Sequence, residues 1–393
     1  MSRSEILVLT PVPPADSGNG LAMRAGLFLA GLSLSHSVDV LVVPVVGTVG
    51  RWRGPVLPLE RDPDDVADLT ARLATPAGRD RAQAVHPRPL LCRKATLAAA
   101  AAVADAAEGA ALVHVFRTYL APFLDVVLDR PRRPKVVLDV DDVESTTFAR
   151  LGQPDEASRY AALEAHYLPL CDHVVTASDD DARFLAARYR LARVTPVPNA
   201  VRLPTETATL DPPPAAPYDL LFVGNLSYPP NAEGVRWLCQ KVVPRLGQVT
   251  VAIVGSGPGP EVRALADDPR VTVAADVPDI GPWYARSRVA VVPVWSGGGT
   301  RTKVLEAFAH RRPVVTTTVG AEGLGPIGLV GADDPLLLAD DPDAFAAACR
   351  RLLDDPALAR DLAARGEEAV RTRATVDVVA PLIDAIVRWT LSG

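Results

Sequence analysis

The residues best suited to chemistry lie in Trp295–Glu306, WSGGGTRTKVLE. Three glycines, Gly297 to Gly299, separate a β-branched stretch from an amphipathic one, and Thr300, Arg301 and Lys303 follow at once. Thr300 is expected to cap a helix over Arg301–Ala309, with the two cations in its first turn. Free backbone N–H groups, the positive end of a helix dipole and two cations at one point would trap a diphosphate. At roughly 100° per residue Val304, Leu305 and Phe308 form an apolar stripe, with Glu306 nearly opposite. A lone helical glutamate usually faces water, but beside an anion trap this one is expected to face a cleft.

A second group is Val137–Glu144, VLDVDDVE, where Asp139, Asp141, Asp142 and Glu144 crowd the end of a β-branched run. Carboxylates at the carboxyl end of a parallel strand can orient hydroxyls or act as bases. The plainer alternative is helix capping by Asp141 or Asp142, with Glu144 complementing the dipole, although four acids exceed what a cap needs. An aspartate-rich magnesium site is a further alternative, but no phosphate-cradling P-loop accompanies it. A third group is the loop Pro11–Gly20, PVPPADSGNG, where Gly18 and Gly20 flank Asn19 and Arg24 follows one turn into a helical pattern. Small residues there let amides approach an anion or a sugar hydroxyl, and the turn also needs glycines for conformation alone. Val254–Pro258 (VGSGP) and Gly320–Gly323 (GAEG) read as turns, and His114 as a satisfied core histidine at a strand end.

These groups need a scaffold, and short β-branched runs alternate with helical patterns along the chain. Strands are expected at Ile6–Leu9, Val38–Val43, Ala111–Phe116, Lys135–Val140 and His173–Ala177. Helices are expected at Leu21–Leu34, near Asp64–Leu73, at Thr96–Ala107 and over one long stretch, Glu144–Leu168. After the Pro-rich stretch Arg202–Pro217, alternation restarts with strands at Asp219–Val223, Thr250–Val254, Val271–Ala274, Val289–Val294 and Pro313–Thr317. Helices accompany them at Ala232–Val243 and over most of Pro342–Trp389. The pattern predicts an α/β chain of two Rossmann-like, doubly wound parallel-sheet domains facing a cleft. Residues 1–204 would form the first, 205–217 a stiff linker, 218–375 the second, and 376–393 a helix packing back on the first.

Composition narrows the function classes. The 393 residues carry a net charge of −6, which argues against a broad nucleic-acid surface. Of 41 basic residues only four are lysines, Lys94, Lys135, Lys241 and Lys303. The four cysteines, Cys92, Cys171, Cys239 and Cys349, lie far apart, a spacing of reduced thiols rather than a zinc site. The run Ala95–Ala104 is only ten residues, short of the 18 or so that span a bilayer. A cytoplasmic protein is expected, with at most peripheral contact with the membrane. Arg130–Lys135 is short for a lipid-binding patch, and solvation is its plainer reading.

The run VGNLSYPPNAEGVRW (Val223–Trp237), followed by VAIVGSGP, VTVAADVPDIGPWYARSRVAVVP and GGGTRTKVLEAFAHRRPVVTTTVGAEGL, resembles the donor-binding half of the retaining family 4 glycosyltransferases, which have the GT-B fold. The first half is similar more loosely, through the Gly-bearing loop with its following Arg, LCDHVVTASDDDARFL and VTPVPNAV. The resemblance implies transfer of a sugar, with retention, from a nucleotide-diphosphate sugar to a hydroxyl acceptor (a natural product, glycan or lipid-linked molecule), with no metal or other cofactor. The second domain would hold the donor through Asn225, Gly298, Gly299, Thr300, Arg301, Lys303 and Glu306. The first would hold the acceptor through Gly18, Asn19, Gly20, Asp139 and Asp142.

Glu306 matches the second acid of the family's E-x7-E element, which implies a hydrogen bond to the nucleotide ribose. The first acid falls at Gly298, so that carboxylate is missing. The family's basic pair after the first strand is also replaced, by Gly224-Asn225-Leu226-Ser227. An unneutralised diphosphate in a closed site is costly, so Arg301 and Lys303 are expected to supply the cations and to stabilise the leaving group. Asp141 matches a first-domain histidine of many relatives and would orient the acceptor. The rival readings are a nucleotide-sugar epimerase on the same fold and a non-catalytic sugar-nucleotide-binding subunit.

Overall fold

The computed structural model describes residues 5–45, 49–50, 52–59, 88–204, 217–296, 301–331 and 333–393. The expected helix near Asp64–Leu73, most of the linker, and Gly298, Gly299 and Thr300 lie outside the described residues. The chain forms two compact units. One comprises Met1–Asp16, Leu21–Pro198 and Val379–Gly393, the other Ser17–Gly20 and Asn199–Val378.

The first unit is built on strands β1 (Ile6–Thr10), β2 (Val38–Val42), β3 (Leu112–Phe116), β4 (Lys135–Val140), β5 (His173–Thr176) and β6 (Val194–Pro196). They pair in parallel in the order β2-β1-β3-β4-β5-β6. Every residue of β1 and β3 is buried, as β-branched strands covered on both faces must be. Helices α1 (Gly20–Leu32), α2 (Leu97–Ala106), α3 (Glu144–Arg150), α4 (Pro154–Tyr167) and α5 (Asp179–Tyr189) connect them. The chain winds from β1 outward to β2, then returns to β3 on the other side. The loops beyond Thr10 and Phe116 therefore flank a topological switch point.

One expected element is corrected. The long helix over Glu144–Leu168 is two helices, because Gly152 adopts a left-handed φ of +68° and Pro154 starts the next turn. A glycine just past a helix end and a proline at the first helical position are a stop and a start side by side.

The second unit has strands β7 (Tyr218–Val223), β8 (Val251–Gly255), β9 (Val271–Ala275), β10 (Ser287–Val292), β11 (Val314–Thr316) and β12 (Leu336–Leu338). All pair in parallel, in the order β12-β11-β10-β7-β8-β9, so the switch point falls between β7 and β10. Helix α6 (Pro229–Trp237) follows β7 and runs on through a wider π-type turn at Leu238–Val242. Helix α7 (Thr302–Ala309) follows β10, and α8 (Pro342–Asp354), α9 (Pro356–Arg373) and α10 (Val376–Ser392) complete the chain.

Most of α10 groups with the first unit. A Cβ on Gly31 of α1 would lie 2.7 Å from Ile383 and 2.8 Å from the Ala380 oxygen, so this close crossing requires glycine. Where the chain enters and leaves the second unit, Val201 and Thr375 form a parallel bridge. Val201 N donates to Ala374 O at 2.9 Å and Val376 N to Val201 O at 3.2 Å. Among the described residues no helix is long and apolar enough to cross a membrane.

Candidate functional site

In the second unit the loops that follow β7 and β8 are pressed together. After β7, Gly224 N donates to Val254 O at 3.0 Å. Opposite it, a Cβ on Gly255 would lie 1.7 Å from the Gly224 oxygen, so VGSGP is a close backbone approach as well as a turn. Asn225 shapes its own turn, accepting at Oδ1 from Ser227 N at 3.0 Å and Ser227 Oγ at 2.7 Å. Its backbone oxygen accepts from Asn231 Nδ2 at 2.8 Å.

Helix α7 brings the cations. Its N-cap position is Arg301, whose own side chain makes no cap hydrogen bond, and Thr300, the expected cap, lies outside the described residues. Arg301 is buried, and Lys303 Nζ reaches over to α6, donating to Asn231 Oδ1 at 2.6 Å. The ammonium also lies 5.4 Å from the centre of the Phe222 ring. Burial holds the Lys303 amine down to about 7, helped by Arg301 and opposed by Glu306. Val304, Leu305 and Phe308 form the expected buried stripe. Glu306, on the side away from that stripe, is buried too, at 9% exposed. Desolvation pushes its carboxyl up to about 7, against the pull of Lys303 one turn earlier. In the following loop, Gly320 N donates to Thr317 Oγ1 at 2.9 Å, and a Cβ there would lie 2.2 Å from Thr316 Oγ1.

The acids of the first unit are arranged around an arginine that the sequence reading did not single out. Arg117 directly follows β3 and has a φ of +71°, a backbone that few non-glycine residues adopt. Its N–H donates to Asp139 O at 2.8 Å. Its guanidinium meets Asp141 Oδ1 at 2.7 Å, Asp142 Oδ2 at 3.5 Å and Glu144 Oε1 at 2.9 Å. Asp142 Oδ1 accepts from Thr147 Oγ1. Neither Asp141 nor Asp142 caps α3, whose N-cap position is Val143 with no side-chain bond. Burial pushes the Glu144 carboxyl up to about 8, against the pull of Arg117.

Asp139 is placed differently from its neighbours. It is fully buried, and Arg24 Nε lies 3.0 Å from both of its oxygens, which leaves no open face for an acceptor hydroxyl. Arg24, which follows the glycine loop, is itself buried and donates on to Val197 O at 3.0 Å and Thr176 O at 3.2 Å. In that loop Gly18 (φ +97°), Asn19 and Gly20 are exposed, and Ser17–Gly20 groups with the second unit. His114 is a core histidine between Phe28 and Phe116, with ring centres 4.7 and 4.8 Å away. It is not a satisfied one, since neither ring nitrogen has a hydrogen-bond partner, and burial holds it down to about 3. A cavity of about 710 Å³ lined by Arg88, Asp125, Arg159, His166 and Tyr167 is lined by none of these site residues.

Residues 217–355 match the family described as Glycosyl transferases group 1. A Klebsiella pneumoniae protein, described as an uncharacterized 44.6 kDa protein in the cps region, is 27% identical over 140 residues, covering 33% of this chain and 35% of its own. The lipopolysaccharide core biosynthesis mannosyltransferase LpcC of Rhizobium leguminosarum bv. viciae is 34% identical over 111 residues, 28% of this chain and 30% of its own. The chain thus spans about a third of the length of the curated relatives it matches.

Among solved structures, the sucrose-phosphate synthase of Thermosynechococcus elongatus superposes with a TM-score of 0.75 at 18% identity, covering 99% of both chains. Anabaena HepE, solved with UDP and glucose, gives 0.61 at 14% identity over 100% of both. The chain therefore has the GT-B fold and, over residues 217–355, resembles the glycosyl transferases of group 1.

Proposed function

We propose that the protein is a retaining glycosyltransferase that moves a sugar from a nucleotide-diphosphate sugar to a hydroxyl acceptor without a metal. One observation carries the donor half of this reading: Lys303 of α7 reaches across the β7–β10 switch point to Asn231, beside the loop that lacks a cation of its own. Crevices at such switch points are where open α/β sheets bind ligands. With Arg301 buried at the start of the same helix, two cations converge where a diphosphate would lie.

As the glycosidic bond to phosphate breaks, negative charge grows on the leaving diphosphate. Arg301 and Lys303 stabilise that charge more than the ground state, which is how fixed cations lower a barrier. The sugar becomes oxocarbenium-like, and the acceptor hydroxyl attacks from the face the phosphate leaves. The departing phosphate takes the hydroxyl proton, Glu306 holds the ribose, and Asp141, clamped by Arg117, orients the acceptor. UDP is the first nucleotide to try, because HepE is solved with UDP and with UDP-glucose.

The reading is tested by calorimetry of UDP, GDP and ADP, followed by incubation of the matching nucleotide sugar with a panel of hydroxyl acceptors. A glycosylated product with the donor's anomeric configuration is expected. Donor binding with no transfer across the panel would favour a non-catalytic sugar-nucleotide binder instead, a reading that Gly298 in place of an acid keeps open.

A further inference from the structure

Asn231 occupies a joint between the two sides of the second unit's switch point. It is 4% exposed, and both ends of its amide are engaged. Nδ2 donates to the Asn225 backbone oxygen at 2.8 Å, and Oδ1 accepts from Lys303 Nζ at 2.6 Å. A carbonyl only accepts and an ammonium only donates, so these two partners fix which way the amide points. Two glycines make the arrangement fit. A Cβ on Gly224 would lie 3.2 Å from Asn231 Nδ2, and one on Gly234 in α6 would lie 2.1 Å from Pro293 O, just past β10. The helix carrying Asn231 is thus seated directly on the strand end that leads to α7.

A lysine side chain loses much rotamer entropy when one geometry is imposed on it. At Lys303 a single amide oxygen and the face of Phe222 impose it, and an ammonium carries three N–H groups. One points to Asn231, which leaves donors for phosphate oxygens. We infer that Asn231 is the positioning residue for Lys303, holding its ammonium at the carboxyl end of β7 for the diphosphate of a nucleotide donor. This rests on the donor reading given above. It adds that the cation is set by α6 and the β7 loop, and not by α7 alone.

The test is a double-mutant cycle read by calorimetry with UDP as the probe. Asn231→Ala is expected to weaken UDP about tenfold when Lys303 is present, and less than twofold in a Lys303→Ala background. A residue that merely shapes the loop would cost the same in both backgrounds. That result, or unchanged UDP affinity in Asn231→Ala, overturns the inference. Asn231→Leu, close in volume and without polar atoms, replaces the alanine variant if the latter does not fold.

A second readout needs no nucleotide. With four lysines in the chain, ¹⁵N-lysine labelling gives four ammonium signals, and Lys303→Arg identifies the one that matters. Its protons are expected to exchange with water more slowly than those of Lys94, Lys135 and Lys241, and to lose that protection in Asn231→Leu. Exchange as fast as the other three overturns the inference. Absence of UDP, GDP and ADP binding with the slow signal intact would instead overturn the donor reading.

Discussion

Arg24 and Asp139 form an ion pair with no solvent-exposed side-chain surface, Nε lying 3.0 Å from both carboxylate oxygens. The pair ties the second turn of α1 to the carboxyl end of β4, and the guanidinium's other nitrogens reach the ends of β5 and β6. One side chain thus fastens the carboxyl edge of the first sheet. Removing one partner leaves a buried charge uncompensated, so Arg24→Met is expected to destabilise the protein by about 3–5 kcal/mol. Adding Asp139→Leu should recover much of that loss. Urea unfolding checks both, and additive losses would show that the two side chains do not act as a pair.

The two cations of α7 give the second prediction. Arg301→Ala and Lys303→Ala should each weaken UDP at least tenfold, since a charge-assisted hydrogen bond contributes about 1.5–3 kcal/mol. Because the Lys303 amine is held down to about 7, UDP affinity should fall as pH rises above 7 in the unaltered protein. That pH dependence should flatten in Lys303→Arg. Unchanged UDP affinity in both alanine variants would remove the diphosphate from this place.

Glu306 gives the third. Its carboxyl is pushed up to about 7 by burial, from 4.5 in an ordinary setting. The folded state therefore holds a proton that the unfolded state has already lost between those two values. A raised acid of this kind stabilises the fold fully below about 4.5 and loses that contribution as pH rises through 7. Glu306→Gln should match the parent at pH 4.5 and exceed it by up to about 3 kcal/mol at pH 8, measured by urea midpoints. A constant difference across that range would falsify the assigned titration.

A fourth concerns how α7 is held. Gly366 of α9 faces Phe308, and a Cβ there would lie 2.1 Å from a ring carbon of that fully buried side chain. Gly366→Ala should cost about 1–3 kcal/mol through overpacking. It should also weaken UDP, since the ring can yield only by shifting the helix that carries Arg301 and Lys303. Loss of stability with full UDP affinity would uncouple the two.

Much of this was legible in the sequence because it depends on local pattern. Among the described residues the β-branched runs predicted ten of the twelve strands, and the spacing around Val304, Leu305 and Phe308 predicted the buried stripe of α7. β6 and β12 were missed because each is a three-residue edge strand, too short for a period to show. The partners of the charges were not legible either. Arg117 looks like any arginine after a strand until the order β3-β4 sets Phe116 beside Asp139. Likewise the 72-residue separation of Lys303 and Asn231 hides a contact that exists only because β10 returns to lie against β7.

The bridge between Val201 and Thr375 has an evolutionary consequence. The second unit begins and ends at neighbouring points, so it is inserted into the first like a cassette with adjoining cut ends. A genetic exchange of the segment between those ends would replace the second sheet as a block while sparing the strand order of the first.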